Sequence, residues 1–262
     1  MGRAFEFRKE RKMKRWGNMA RQFTRIGRDI VIAVKAGGPD PAGNPKLRAV
    51  IQNAKAVNMP KDRVEAAIKR AAGKDQENYE ELLYEGMGPH GIGIMVDTAT
   101  DNPTRTVANL RMYFNRGNGV LGTSGSVGFM FERKGIFRLP TEGVNVEELE
   151  LELIDYGADE VFEMDNEIYV YTLFEDFGKM QKALEEKGIA IIEAKLERLP
   201  MNTIELNAEQ QAEVNALLEK LNDDDDVQAV SGQEFQHHGS SGADVAAARR
   251  NVSVKVSQTV SR

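Results

Sequence analysis

IGIMVDTATDNPTRTVANLRMYF, residues 92–114, sets a strand beside a helix and so decides the fold class. Ile92 to Val96 is a short apolar run flanked by glycine, the pattern of a buried strand. Asn102-Pro103 opens a helix that turns Val107, Leu110 and Phe114 inward. Val127, Phe129 and Phe131 then alternate, as a second strand would. The same order returns later in the chain. Ala194–Leu199 reads as a strand, Val214, Leu217, Leu218 and Leu221 mark a helix, and Val227–Val230 is a last short strand. Two β-α-β units predict a split βαβ, ferredoxin-like sheet, with Ile92–Val96 and Ala194–Leu199 side by side in it.

Between the two halves, residues 134–193 carry elements enough for an α/β unit of their own. These are strand Ile136–Leu139, helix Val146–Ile154, strands near Val161 and over Ile168–Leu173, helix Asp176–Glu186 and strand Ile189–Ile192. The ferredoxin-like unit, 79–133 plus 194–231, is then discontinuous, with the third unit inserted in it. Beyond Gly232 the periodicity stops. The polar, glycine-rich run Gln236-His237-His238-Gly239-Ser240-Ser241-Gly242 predicts a disordered tail over 232–262.

Upstream the pattern is helical. Met13, Trp16, Ala20, Phe23, Ile26, Ile30 and Val34 recur at steps of three and four. Arg21, Arg25, Arg28 and Lys35 form a second stripe, about half a turn away, which would face outward. Gly17 predicts a break in this helix. Gly37-Gly38-Pro39-Asp40-Pro41 stops it; a second helix follows Asn44-Pro45, and a third opens at Asn58 and ends near Gly73. Residues 1–75 thus form a small helical unit, with Lys74–Asn78 as linker. The fold class is α+β: a helical bundle followed by two α/β domains.

The formal net charge of −6 hides an asymmetry. Residues 1–74 hold 19 Lys and Arg against 6 Asp and Glu, while residues 75–262 hold 16 against 35. A basic head on an acidic body attracts polyanions to the head. The bland alternative is a charged bundle that docks on its own acidic body. In the head, Arg8, Lys9, Arg11, Lys12, Lys14 and Arg15 cluster beside Phe5, Phe7 and Trp16, a composition suited to binding phosphates with aromatic anchoring. With the outward stripe of Arg21, Arg25 and Arg28, and with Lys46, Arg48 and Lys61 on the following helices, they are the candidate nucleic-acid-binding residues.

Other chemistry finds little support. Gly86-Met87-Gly88-Pro89-His90-Gly91 matches a dinucleotide fingerprint, but a strand follows it where a helix is needed, so it reads as a turn. His90, His237 and His238 lack metal-ligand spacing, and cysteine is absent. Asp223 to Asp226 read as a solvated helix terminus. Ser124 and Ser126 have no positioned base in sight. No run of eighteen apolar residues points to a membrane span, and the basic start lacks the apolar segment of a secretory signal. The expectation is a cytoplasmic, non-enzymatic protein with no cofactor and no metal.

Several segments together resemble the YebC/PmpR family. They are Gly37-Gly38-Pro39-Asp40-Pro41 with Asn44-Pro45-Lys46-Leu47-Arg48, Asn58-Met59-Pro60-Lys61-Asp62, Ala67-Ile68-Lys69-Arg70, Tyr84-Glu85-Gly86, Thr100-Asp101-Asn102 with Arg105-Thr106, Leu121-Gly122, Gly125-Ser126-Val127 and Phe131-Glu132-Arg133-Lys134-Gly135. The start differs: Lys14-Arg15-Trp16-Gly17-Asn18-Met19 stands where the family usually reads Ser-Lys-Trp-x-Asn-Ile. The resemblance implies a three-domain, non-enzymatic nucleic-acid-binding protein of the cytosol. It would be a DNA-binding transcriptional regulator or, alternatively, a ribosome-associated translation factor that binds ribosomal RNA.

Overall fold

In the computed structural model, residues 3–73 and 78–233 are described, with side chains from residue 17 onward in the first helix. The chain is α+β: three helices, then two antiparallel sheets.

The helical unit comprises α1 (Arg3–Gly37), α2 (Pro45–Ala56) and α3 (Lys61–Ala71). The expected break at Gly17 is not there, and α1 is continuous. One interior glycine costs only about 1 kcal/mol, too little to interrupt a helix already nucleated on both sides. Asn44 joins the helices. Its side chain accepts from the Leu47 N–H at 3.0 Å to cap α2, and its amide donates to the carbonyls of Ala33 at 2.7 Å and Gly38 at 2.9 Å. Ile26, Ile30, Ala33 and Val34 meet Leu47, Val50, Ala54, Val64, Ala67 and Ala71 in the core. The apolar stripe read from Met13 to Val34 is therefore covered only from Ile26 onward: Phe23 is half-buried and Ala20 is exposed.

The first sheet has the order β3-β1-β2-β8, from β1 (Glu80–Met87), β2 (Gly93–Thr100), β3 (Val120–Leu121) and β8 (Val227–Gly232). Between β2 and β3 runs α4 (Pro103–Arg116), and before β8 runs α7 (Ala208–Asn222). Ile92, Ile94 and Val96 pack against Leu110 and Phe114 of α4 and Val214, Leu217 and Leu221 of α7. Gly86 is where β1 lets Phe114 through, since a Cβ there would lie 2.5 Å from the ring. The Gly86–Gly91 run is a hairpin turn, as its context required.

The second sheet has the order β5-β6-β4-β7, from β4 (Phe131–Pro140), β5 (Ala158–Met164), β6 (Glu167–Leu173) and β7 (Glu193–Pro200). Helices α5 (Val146–Ile154) and α6 (Phe177–Glu186) cover one face, where Phe137, Leu139, Ile168 and Val170 meet Leu149, Leu153, Met180 and Leu184. This run of strand, helix, two strands, helix and strand is the complete split βαβ pattern.

Three expectations need correction. Ala194–Leu199 lies in β7 of the second sheet, paired with β4, and not beside Ile92–Val96. β8 alone brings the chain back to the first sheet, against β2. Val127–Phe131 is not a strand: Gly128–Met130 is a 3-10 turn, Phe129 is 67% exposed, and β4 starts at Phe131. Ile189–Ile192 is irregular chain that feeds Ile191 into the core before β7 begins. The tail expected beyond Gly232 lies, after Gln233, outside the described residues.

Candidate nucleic-acid interface

The stripe of Arg21, Arg25 and Arg28 faces the body and not solvent. A helix C-terminus leaves carbonyls without intrahelical donors, at the negative end of the helix dipole. Arg25 meets this need at the end of α7, where its Nη2 donates to Asn222 O at 2.8 Å and its Nε to Val227 O at 2.9 Å. Burial pulls the Arg25 guanidinium below its ordinary value, with Arg21 adding to the effect. Arg28 donates to Ala99 O at 2.9 Å and to Asp225 O, lies 3.3 Å from the Asp226 carboxylate, and sits 5.1 Å over the Tyr79 ring. Arg21 pairs with Asp223 at 3.2 Å.

The Asp223–Asp226 run is correspondingly not a solvated terminus, for Asp224 and Asp226 are buried. Asp224 accepts from Asn109 at 3.0 Å and Tyr113 at 3.1 Å. Asp226 accepts from Arg105 and from the Thr106 hydroxyl, both at 2.8 Å. Burial alone would raise the Asp226 carboxyl, but its bonds to Arg105 and Thr106 hold it below its ordinary value. Among the described residues no cluster of His, Asp or Glu could hold a metal ion.

Helix α2 fastens the helical unit to both sheets. Lys46 pairs with Glu81 at 3.3 Å, and Arg48 with Glu185 at 3.1 Å. Asn53 exchanges two hydrogen bonds with the Ala194 backbone, at 2.7 and 2.9 Å, as a neighbouring strand would. Gln52 donates to Ile191 O. Two of the candidate binding residues, Lys46 and Arg48, are therefore paired within the molecule.

What remains open lies elsewhere on the head. Arg8, Lys9, Arg11, Lys12, Lys14 and Arg15 fall within α1, but their side chains lie outside the described residues. Lys61 is fully solvated, with Glu65 at 3.5 Å one turn on. Arg63, Lys69 and Arg70 are exposed on α3. Arg63 lies 5.8 Å over the Phe23 ring. Between α1 and α3 opens a groove of about 860 Å³, bordered by Phe23, Met59, Arg63, Arg70 and Tyr79. Sequence reasoning passes over Arg63 and Arg70, although their separation of seven residues puts them on one helix face.

The Gly122–Gly128 loop, which carries Ser124 and Ser126, is held by Glu85. The Glu85 carboxylate accepts the backbone N–H groups of Gly125, Val127 and Gly128, each at 2.8 Å. Burial alone would raise its pKa, but those three donors hold it below the ordinary carboxylate range. His90, in the hairpin turn, pairs with Glu213 at 2.8 Å.

Residues 3–74 match the TACO1/YebC protein N-terminal domain, and residues 79–233 match the TACO1/YebC second and third domain. The chain belongs to the TACO1/YebC family. Relatives within it are named probable transcriptional regulatory proteins. One from Flavobacterium johnsoniae is 59% identical over 230 residues, 88% of this chain and 97% of its own length. One from Myxococcus xanthus is 54% identical over 235 residues, 88% of this chain and 98% of its own length. The crystal structure of a conserved hypothetical protein from Aquifex aeolicus superposes with a TM-score of 0.71 at 37% identity, covering 82% of this chain and 89% of that one. The TACO1/YebC match runs through the helical head and both sheets and stops where the described structure stops, at Gln233. Among the described residues no helix is long and apolar enough to cross a membrane.

Proposed function

We propose that this TACO1/YebC chain is a non-enzymatic regulator that binds nucleic acid through its basic helical head. One observation carries the reading: after the fold has used Arg21, Arg25, Arg28, Lys46 and Arg48 internally, the head still exposes Lys61, Arg63, Lys69 and Arg70. Its first sixteen residues add seven further cations against two acids. Such a surface binds phosphates without reading bases. The names of its relatives support a transcriptional regulator; on this reading its ligand is DNA and its place the cytoplasm. A second reading, a translation factor on ribosomal RNA, draws support from the concave, aromatic-edged groove between α1 and α3.

The test compares the full chain with one lacking residues 1–73, on duplex DNA and on structured RNA. Loss of binding on both ligands is expected. A truncated chain that binds as tightly as the full one would remove the proposal.

A further inference from the structure

Helix α1 carries its apolar stripe past the core that covers it. Ile26, Ile30 and Val34 are buried, whereas Phe23 and Ala20, one and two turns toward the N-terminus, line the open groove against α3. In the sequence the stripe continues through Trp16 and Met13. The apolar surface that Phe23 and Ala20 give the groove wall is the kind that marks a binding site.

Charge indicates which ligand. The opposite wall holds Arg63 and Arg70, and among the described residues neither has an acidic partner. Arg63 lies against the Phe23 ring, so a planar cation and a planar ring border the same space. At about 860 Å³ the groove falls in the range that takes a small organic ligand. Its shape matters as much as its charge. A duplex is read by a convex element entering a groove of the nucleic acid. A cleft between two helices cannot do that, but it can accept bases that have left the stack, with arginine and aromatic planes beside them and cations on the backbone.

We propose that the α1–α3 groove seats an unpaired stretch of RNA, its bases toward Phe23 and its phosphates toward Arg63 and Arg70. RNA is chosen because its loops and bulges present unpaired bases, while DNA is ordinarily duplex. This rests on the nucleic-acid reading above and narrows it to one site and one form of ligand.

The experiment uses the full chain and three fluorescent probes: an unstructured RNA dodecamer, a duplex DNA of similar charge and an acidic peptide. Two variants test the groove. Gly27→Glu places a carboxylate on the groove wall at a position where an added Cβ meets no atom within 4 Å. Arg63→Gln with Arg70→Gln removes two exposed cations without touching the core. Wild type should prefer the unpaired RNA. Both variants should weaken that binding about tenfold or more, and the double variant should flatten its salt dependence by roughly 0.7 log unit for each phosphate it no longer neutralises. Thermal melting of the variants should match the wild type.

Tight RNA binding that neither variant weakens would overturn the groove assignment while leaving the nucleic-acid function standing. Preference for the duplex, or for the acidic peptide, would overturn it too. A chain that binds none of the nucleic acids would end the broader reading along with this one. Should Gly27→Glu lower the melting temperature, the double variant alone decides.

Discussion

A single carboxylate organises the loop between β3 and β4. Glu85 is buried and takes three backbone N–H donors, so its charged form is the bound form. Because its folded pKa lies below the unfolded one, its contribution is present above the unfolded carboxylate range and is lost as pH falls through the folded value. Glu85→Gln should cost about 2–4 kcal/mol at pH 7, the scale of several charge-assisted bonds, and should open residues 122–128 to proteolysis. Urea denaturation and limited proteolysis check this; an unchanged midpoint would contradict it. Asp29, in α1 one turn after Arg25, carries the opposite sign. Burial raises its pKa to about 6, with Lys46 opposing and Glu81 reinforcing. Folding then takes up a proton between the unfolded carboxylate value and about pH 6, so stability falls as pH rises through that window and stays lower above it. Asp29→Asn should stabilise the protein by about 1–2 kcal/mol at pH 7 and by nothing near pH 4. Denaturation at both pH values measures it, and a gain independent of pH would contradict the assignment.

Helix α1 shows how far a sequence discloses an element and where it stops. Its periodicity locates the helix and its stop at Gly37, because the 3.6-residue repeat of Ile26, Ile30 and Val34 is local information. The same repeat can say that the arginine stripe lies opposite the apolar one, but not that a second body covers it. That cover comes from the far end of α7, about two hundred residues away in the chain. Strand β1 escapes a reading of the sequence for a related reason: Glu80 and Glu81 mask its exposed end, and Gly86 interrupts its apolar pattern. Strand β7 is legible, but its partner depends on long-range pairing, and here an internal repeat of the βαβ pattern offers two sheets that would both accept it. At this scale, Arg25→Gln should destabilise the protein by about 2–3 kcal/mol, since two carbonyls lose their donors, while affinity for nucleic acid stays unchanged once the protein is folded. Denaturation and binding measured on the same sample test it. Weaker binding at unchanged stability would return Arg25 to the interface.

Across the whole molecule the chain is folded back on itself. The strands and helices of the second sheet run from Phe131 to Pro200, and the residues that flank them meet, the Met201 N–H donating to Met130 O at 2.9 Å. We therefore expect that residues 131–200 can be excised with a short linker and the remainder still unfold cooperatively. Its stability should be reduced, because Ala49 of α2 loses its seat against the second sheet. Loss of all cooperative unfolding would contradict this. The acidic body and basic head are not simply opposed surfaces. The body takes up part of the head's charge to hold it in place, and on the proposed function the exposed cations of α3, with the basic sequence at the start of α1, serve a partner. The most direct measurement of that division is affinity against salt concentration on duplex DNA and structured RNA. It compares wild type with a full-length variant carrying Gln at Arg8, Lys9, Arg11, Lys12, Lys14 and Arg15. The variant should bind unrelated sequences uniformly more weakly, with its salt slope flatter by roughly 0.7–0.9 for each phosphate left unneutralised; an unchanged slope on both ligands would contradict the account.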